Sequence, residues 1–202
     1  MNTIDLETLY KEAAEIWLSG GWAMIALAVN AFILFFIGML VQARLSDKSY
    51  KGFSERKCQH WVKNPQARRG AIGALIDVAL GTRNLHEMNT VFEESRHVEL
   101  RPFSRDLRIM RVCVSVSPLL GLLGTVTGML TTFGALALGS GGDKTMDMVA
   151  GGISEALVTT QTGLIIALPG LLFLHHLEQQ NERYNSILNH VEMACAQAID
   201  RK

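Results

Sequence analysis

The chain has 202 residues, 49% of them apolar and 19% charged, with 19 basic residues against 19 acidic ones. The balanced charge leaves no uniformly basic surface to hold phosphates, which excludes a nucleic-acid binder driven by net charge. Cys58, Cys113 and Cys195 form no CxxC or other metal-ligand spacing, so a disulfide-stapled secreted module is excluded too.

The charges are unevenly spread. Between Glu15 and Arg44 lie 28 residues without a formal charge, and between Arg111 and Asp143 lie 31. Between Asp147 and Glu178 lie 30, broken only by Glu155. Each run exceeds the roughly 20 residues that cross a bilayer as a helix, which rules out a soluble enzyme domain. The expected fold is all-α: a polytopic membrane protein with three transmembrane helices, the second and third extended into the cytoplasm as long helices.

In chain order, residues 1–21 form an outward-facing N-terminal segment. Residues 22–42 form the first span, because this run lacks the basic start and small-residue cleavage site of a signal peptide. Residues 43–111 form a cytoplasmic helical segment. In it, Ile72, Leu75, Ile76, Ala79 and Leu80 fall at i, i+3, i+4, i+7 and i+8, one apolar helix face, and Met88, Val91, Phe92 and Ser95 continue a shorter version. Pro102 suits a first helical position, and Phe103, Leu107, Met110 and Val114 then step toward the second span as one long helix.

The second span covers 112–138, with Pro118 expected to bend it or to free a carbonyl. The loop 139–147, "GSGGDKTMD", suits a turn at a membrane surface. The third span covers 148–174, and residues 175–202 form a cytoplasmic helical tail. There Leu177, Asn181, Tyr184, Leu188, Val191, Cys195 and Ala198 are spaced 4, 3, 4, 3, 4, 3, a heptad seam with one buried-type Asn. Two readings stand for it: self-association with Asn181 fixing register, or packing on the protein's own cytoplasmic helices.

Basic residues are retained on the cytoplasmic side during insertion. Of the 19, the segment 43–111 carries 14 and the tail carries Arg183, Arg201 and Lys202, whereas the other side has only Lys11 and Lys144. The N-terminus and the 139–147 loop are therefore expected outside, and the middle segment and tail inside.

Glu155 is the one ionisable residue embedded in a span otherwise free of charge. A carboxylate there is costly unless it is neutral, paired or next to water. Desolvation favours the protonated form, so such a group can carry a proton and release it when a polar route comes close. The plainer reading is that Glu155 reaches the interface from near the outer end of its helix. In the second span Ser117, Gly121, Thr125, Gly128 and Thr132 are spaced 4, 4, 3 and 4, a narrow polar face, and Gly124 and Gly128 bracket the GxxxG pattern of "GTVTG". In the third, Glu155, Thr159 and Thr162 sit at i, i+4 and i+7. Such faces serve close helix packing or, around a membrane carboxyl, a proton path. His175 and His176 end the third span as interfacial anchors or proton-exit relays. HExxH, GxSxG and Walker A signatures are missing, so no enzyme is expected.

The stretches "SPLLGLLGTVTGM" at 117–129 and "GGISEALVTTQTGLIIALPG" at 151–170 resemble the paired core helices of the ExbB/TolQ branch of the MotA/TolQ/ExbB proton-channel family. Both occur in the right order with a short loop between them, in a chain with that family's three-span, N-out topology. The resemblance implies a homopentamer in the bacterial inner membrane whose second and third helices surround a pore. It also implies a single-span partner like ExbD or TolR inside that pore and a TonB- or TolA-like transducer of proton-motive force. Protons are then the coupling ion, with no other cofactor or metal and with lipids as the surrounding partner. By matching motifs, Glu155 is the pore glutamate, Thr125 and Thr160 are the pore threonines, and Pro118 and Pro169 are the motif prolines. Thr160 lies about 140° around an ideal helix from Glu155, which the two readings reconcile if Thr160 meets a neighbouring subunit's second helix. The segment after "ALPG" reads "FLHHLE" where the family's pattern has an aromatic-Asn pair. A structural scaffold in which Glu155 is interhelical glue is the competing function. An intramembrane hydrolase lacks a second carboxylate, metal cluster or activated nucleophile.

Overall fold

The computed structural model describes residues 17, 19–47, 58, 60–62, 64–82, 84–137 and 142–200. The expectations for residues 1–16 and 138–141, including Lys11, lie outside them, as do those for Arg201 and Lys202.

Five α-helices account for most of the described chain: α1 (Ala23–Asp47), α2 (Gly70–Gly81), α3 (Leu85–Glu99), α4 (Arg101–Ala137) and α5 (Asp143–Asp200), with a single 3-10 turn at Pro65–Ala67. Three of the helical stretches are long and apolar enough to cross a membrane. α4 has 37 residues and α5 has 58, well beyond the roughly 20 a bilayer requires. Two helix ends differ from the segment bounds read from sequence. Asp143 to Asp147, read from sequence as loop, are already helical. Gly142 at φ 140° makes the turn, and its carbonyl accepts from the Thr145 and Met146 amides. α1 likewise runs past residue 42 to Asp47, burying Val41 and Leu45 on the way.

The chain divides into two compact units, Met1–Phe36 with Ile109–Phe173, and Ile37–Arg108 with Leu174–Lys202. In the first unit three helical stretches meet through small residues. A Cβ added to Gly128 would lie 2.9 Å from the Ala156 nitrogen and 3.0 Å from its Cβ. One added to Gly121 would lie 3.0 Å from the Thr159 carbonyl and from the Thr160 Cα. One at Gly163 would lie 2.7 Å from the Ser117 carbonyl. These approaches are close enough that only hydrogen fits, the packing that membrane helices use in place of a hydrophobic driving force. α1 joins them lower down, where Gly170 faces Leu34 and Val114. Gly21 lies at Glu155 and Leu34 at Gly170, so α1 and the third span run the same way, and the second span runs opposite. The outward faces carry Phe32, Leu122, Val126, Leu130, Phe133, Leu164, Leu168 and Leu172, all exposed and all suited to lipid.

The second unit has a conventional core. Ile72, Ile76 and Ala79 of α2 and Met88 and Phe92 of α3 pack with Cys58 against Tyr184, Leu188, Val191 and Cys195 of α5. The heptad seam of the tail is therefore spent inside this chain, the second of the two readings open from sequence. Leu177 is fully buried as well, and the Asn181 side-chain oxygen Oδ1 is buried without a hydrogen-bond partner among the described residues. Leu75, Leu80 and Val91 are only partly buried at the rim of that face. Arg68 ties the turn before α2 together: it donates to the Trp61 carbonyl at 2.7 Å and the Val62 carbonyl at 3.0 Å, and it pairs with Asp77. Burial pushes the Cys195 thiol up to about 12, with the neighbouring Cys58 adding to the shift and Arg68 opposing it.

Candidate functional site

Glu155 sits in the third span as a partly buried residue, and its carboxyl makes no hydrogen bond or ion pair with the described residues. Its nearest structural feature was not singled out from sequence. The chain turns at Gly20 and Gly21 just before α1, with Gly21 at φ 62° and its carbonyl accepting from the Met24 amide at 3.3 Å. A Cβ at Gly21 would overlap the Glu155 carboxyl oxygen Oε1, at 2.8 Å from Cδ and 3.5 Å from Cγ. One at Gly20 would lie 3.4 Å from Val158 Cγ1, one helical turn further along. The carboxyl is thus level with the start of the first span, where the next residue, Trp22, is an exposed aromatic of the kind that marks a membrane–water interface.

The hydroxyls expected around Glu155 are spent on backbone. Thr159 is fully buried, and its hydroxyl donates to the Glu155 carbonyl at 2.9 Å and the Ala156 carbonyl at 3.1 Å. Thr162 donates to Val158 at 2.8 Å and Thr125 to Leu122 at 2.7 Å. Thr160 donates to Ala156 at 3.1 Å and also across to the Gly121 carbonyl at 3.3 Å. Thr160 therefore meets the second span of its own chain, where the sequence reading looked to a neighbouring subunit. The reason is the close approach at Gly121, which brings that helix's carbonyls within reach. With their protons committed, the hydroxyl oxygens keep only acceptor capacity for a passing proton carrier.

The polar face of the second span is mostly seam. Ser117 and Thr132 are buried, and so are Gly121, Gly124 and Gly128. Thr132 donates to the Gly128 carbonyl at 3.0 Å and lies against Gly152, while Gly124 lies against the Thr159 side chain. Thr125 is partly exposed on another side. α4 and α5 continue through Pro118 and Pro169 without a break. Beside Pro118 the structure adds a contact that was not singled out from sequence: Asn30 of α1 donates to the Ser117 hydroxyl at 2.8 Å and to the Cys113 carbonyl at 3.0 Å. The signal was available, because Asn30 is an amide in the middle of an uncharged run. His175 and His176 are exposed in the second unit, with Gln179 Nε2 and Gln180 Nε2 at 3.0 and 2.6 Å from their Nε2 atoms.

Three helices long and apolar enough to cross a membrane, one of them carrying a carboxyl, define the class as a multi-pass membrane protein. Residues 66–190 match the model of the MotA/TolQ/ExbB proton channel family, and the chain belongs to that family. It is similar to the putative biopolymer transport protein ExbB-like 3 of Synechocystis sp., at 41% identity over 43% of this chain and 41% of that protein. It is also similar to the biopolymer transport protein exbB1 of Vibrio cholerae, at 36% over 48% and 41% respectively. The Tol-Pal system protein TolQ of Haemophilus influenzae is 37% identical over 39% of this chain and 34% of its own. The chain spans about two fifths of the length of the first two relatives.

Proposed function

We propose that this chain is a stator-like subunit of an inner-membrane motor that converts proton-motive force into mechanical work. In this reading it assembles as a homopentamer around the single span of an ExbD/TolR-like partner and drives a TonB/TolA-like transducer toward an outer-membrane process. The observation that carries the reading is Glu155: a carboxyl in a membrane span of a proton-channel family member, half-buried and free of any fixed partner among the described residues. A carboxyl already locked in a salt bridge could not alternate between protonated and ionised states. The N-terminus faces the periplasm and the second unit the cytoplasm, supported by the 17 of 19 basic residues on that side.

One charge crossing about 100 mV releases roughly 2.3 kcal/mol. This biases a rotation or rocking step without breaking a packed unit, so several protons act per cycle. Glu155 takes a proton from the outer side, and the proton leaves inward past the Thr125, Thr159, Thr160 and Thr162 oxygens. The test is pH-gradient-driven flux in liposomes holding this protein with and without its single-span partner. Flux that needs the partner and vanishes in Glu155→Gln, with assembly intact, supports the motor. One observation favours the competing scaffold: the glycine and threonine seam already satisfies its hydrogen bonds within the chain. Loss of assembly in Glu155→Gln, with no proton-dependent function in the wild type, would establish the scaffold instead.

A further inference from the structure

The motor reading gives Glu155 a proton but does not say what governs the carboxyl's contact with its surroundings. Two glycines in succession precede the first span. Gly21 faces the Glu155 carboxyl of the third, whereas Gly20 packs on the Met24 side chain, with Val158 of the third span at ordinary contact distance. Gly21 also holds a left-handed φ of 62°, a conformation glycine adopts without steric cost. The turn therefore has no side chain at the point where it covers the carboxyl, and any side chain there would displace Glu155 or open the turn. Gly21 leaves the ionisable end of Glu155 seated against main chain, where a larger residue would leave it swung away.

We infer that Gly21 is a positioning residue for proton exchange at Glu155: the Gly20–Gly21 turn of the first span covers the carboxyl and sets how readily it exchanges protons with the membrane surface. The first span then takes part in the proton step as the cover of the site, although the carboxyl and hydroxyls all lie on the second and third. The inference rests on the reading of Glu155 as the proton-bearing group, and its test is arranged to separate the two.

The probe is dicyclohexylcarbodiimide, which modifies protonated carboxyl groups. Labelling of Glu155 in the full-length protein in membranes is followed by peptide mass against pH. Wild type is compared with Gly21→Ala, with Gly21→Asn and with Gly70→Ala. Gly70 has the same kind of backbone, φ 70°, with nothing within 4 Å of an added Cβ, so it reports backbone strain alone. Asn tolerates a left-handed φ better than Ala, so Gly21→Asn retains the overlap with less strain and serves if Gly21→Ala does not fold. The expected result is faster labelling of Glu155 in both Gly21 variants at every pH of the series, as the carboxyl leaves its cover and becomes accessible to the reagent. Gly70→Ala should match wild type.

Unchanged labelling in a folded Gly21 variant overturns the inference. So does an equal change in Gly70→Ala, which would make the effect one of backbone strain. If labelling shifts as expected while Glu155→Gln still conducts protons in the liposome assay, the cover stands as geometry and the motor reading fails. If Glu155→Gln loses flux while Gly21→Ala and Gly21→Asn change nothing, the motor reading stands and the cover is overturned.

Discussion

Asn30 in the first span donates its side-chain amide to the Ser117 hydroxyl in the second at 2.8 Å, one residue before Pro118. Pro118 lacks an N–H and so leaves the carbonyl four residues earlier without its helical donor. Next to that gap, the Cys113 carbonyl accepts from both Asn30 and Ser117, each at 3.0 Å. The amide thus supplies hydrogen bonding beside the point where the helix ladder is interrupted, and it links two spans in doing so.

Removing that link should loosen the bundle. Asn30→Ala should lower the stability of the detergent-solubilised protein by about 0.5–2 kcal/mol, the range for interhelical hydrogen bonds in membranes. Ser117→Ala should cost less, because Asn30 still reaches the Cys113 carbonyl. Thermal melts of the two variants beside wild type check the ordering, and equal losses would count against it.

The glycine seam offers a matched pair. Gly128→Ala places a methyl against the Gly152 carbonyl and the Ala156 backbone and should cost about 1–3 kcal/mol through overpacking. Gly134→Ala lies in the same helix with nothing within 4 Å and should be neutral or stabilising by up to about 1 kcal/mol. Heating followed by size-exclusion chromatography measures both.

In the second unit, Arg68→Ala should destabilise by about 1–3 kcal/mol, because the Trp61 and Val62 carbonyls lose their donor. Asp77→Ala should cost under about 1 kcal/mol, since the Asp77 side chain is 57% exposed and its pairing is screened by solvent. Denaturation followed by circular dichroism distinguishes a carbonyl clamp from an ion pair.

Cys195 gives a pH dependence. Its thiol is raised from 9.0 to about 12, chiefly by burial, so the fold holds this proton more tightly than the unfolded chain does. The contribution is fully present below pH 9 and is lost as pH rises from about 9 toward about 12, at up to about 1.4 kcal/mol per pH unit. The difference in stability between wild type and Cys195→Ala, followed from pH 8 to 11, should fall along that window. At pH 8 the thiol should also resist iodoacetamide in the folded protein and react once the chain is denatured.

The spans were legible because a run of uncharged residues longer than a bilayer allows few other structures. The amphipathic faces of α2 and α3 were legible from period, and Ile72, Ile76, Ala79, Met88 and Phe92 are buried as that period requires. The destination of the tail seam was not legible, since a heptad pattern reads the same whether its cover is another copy or the chain's own helices. Glu155 stood out because a charge in a span is rare. Its neighbour Gly21 did not, because contact between residues so distant in sequence leaves no periodic trace. Thr160 illustrates the same limit. Its angle from Glu155 follows from helix geometry, but the identity of the helix it faces depends on how closely glycines let backbones approach.

The core of the second unit joins residues that are made far apart in time. Ile72, Ile76, Met88 and Phe92 are synthesised early, and their covering residues Tyr184, Leu188, Val191 and Cys195 come after both hydrophobic runs of the second and third spans. At ordinary elongation rates of about 5–20 residues per second, roughly 5–20 s separate the two halves. During that interval the apolar faces of α2 and α3 wait without their partner while the spans are translated. Completion of this core therefore follows translation of both hydrophobic runs, and translation past Cys195 marks the earliest moment at which the unit can close.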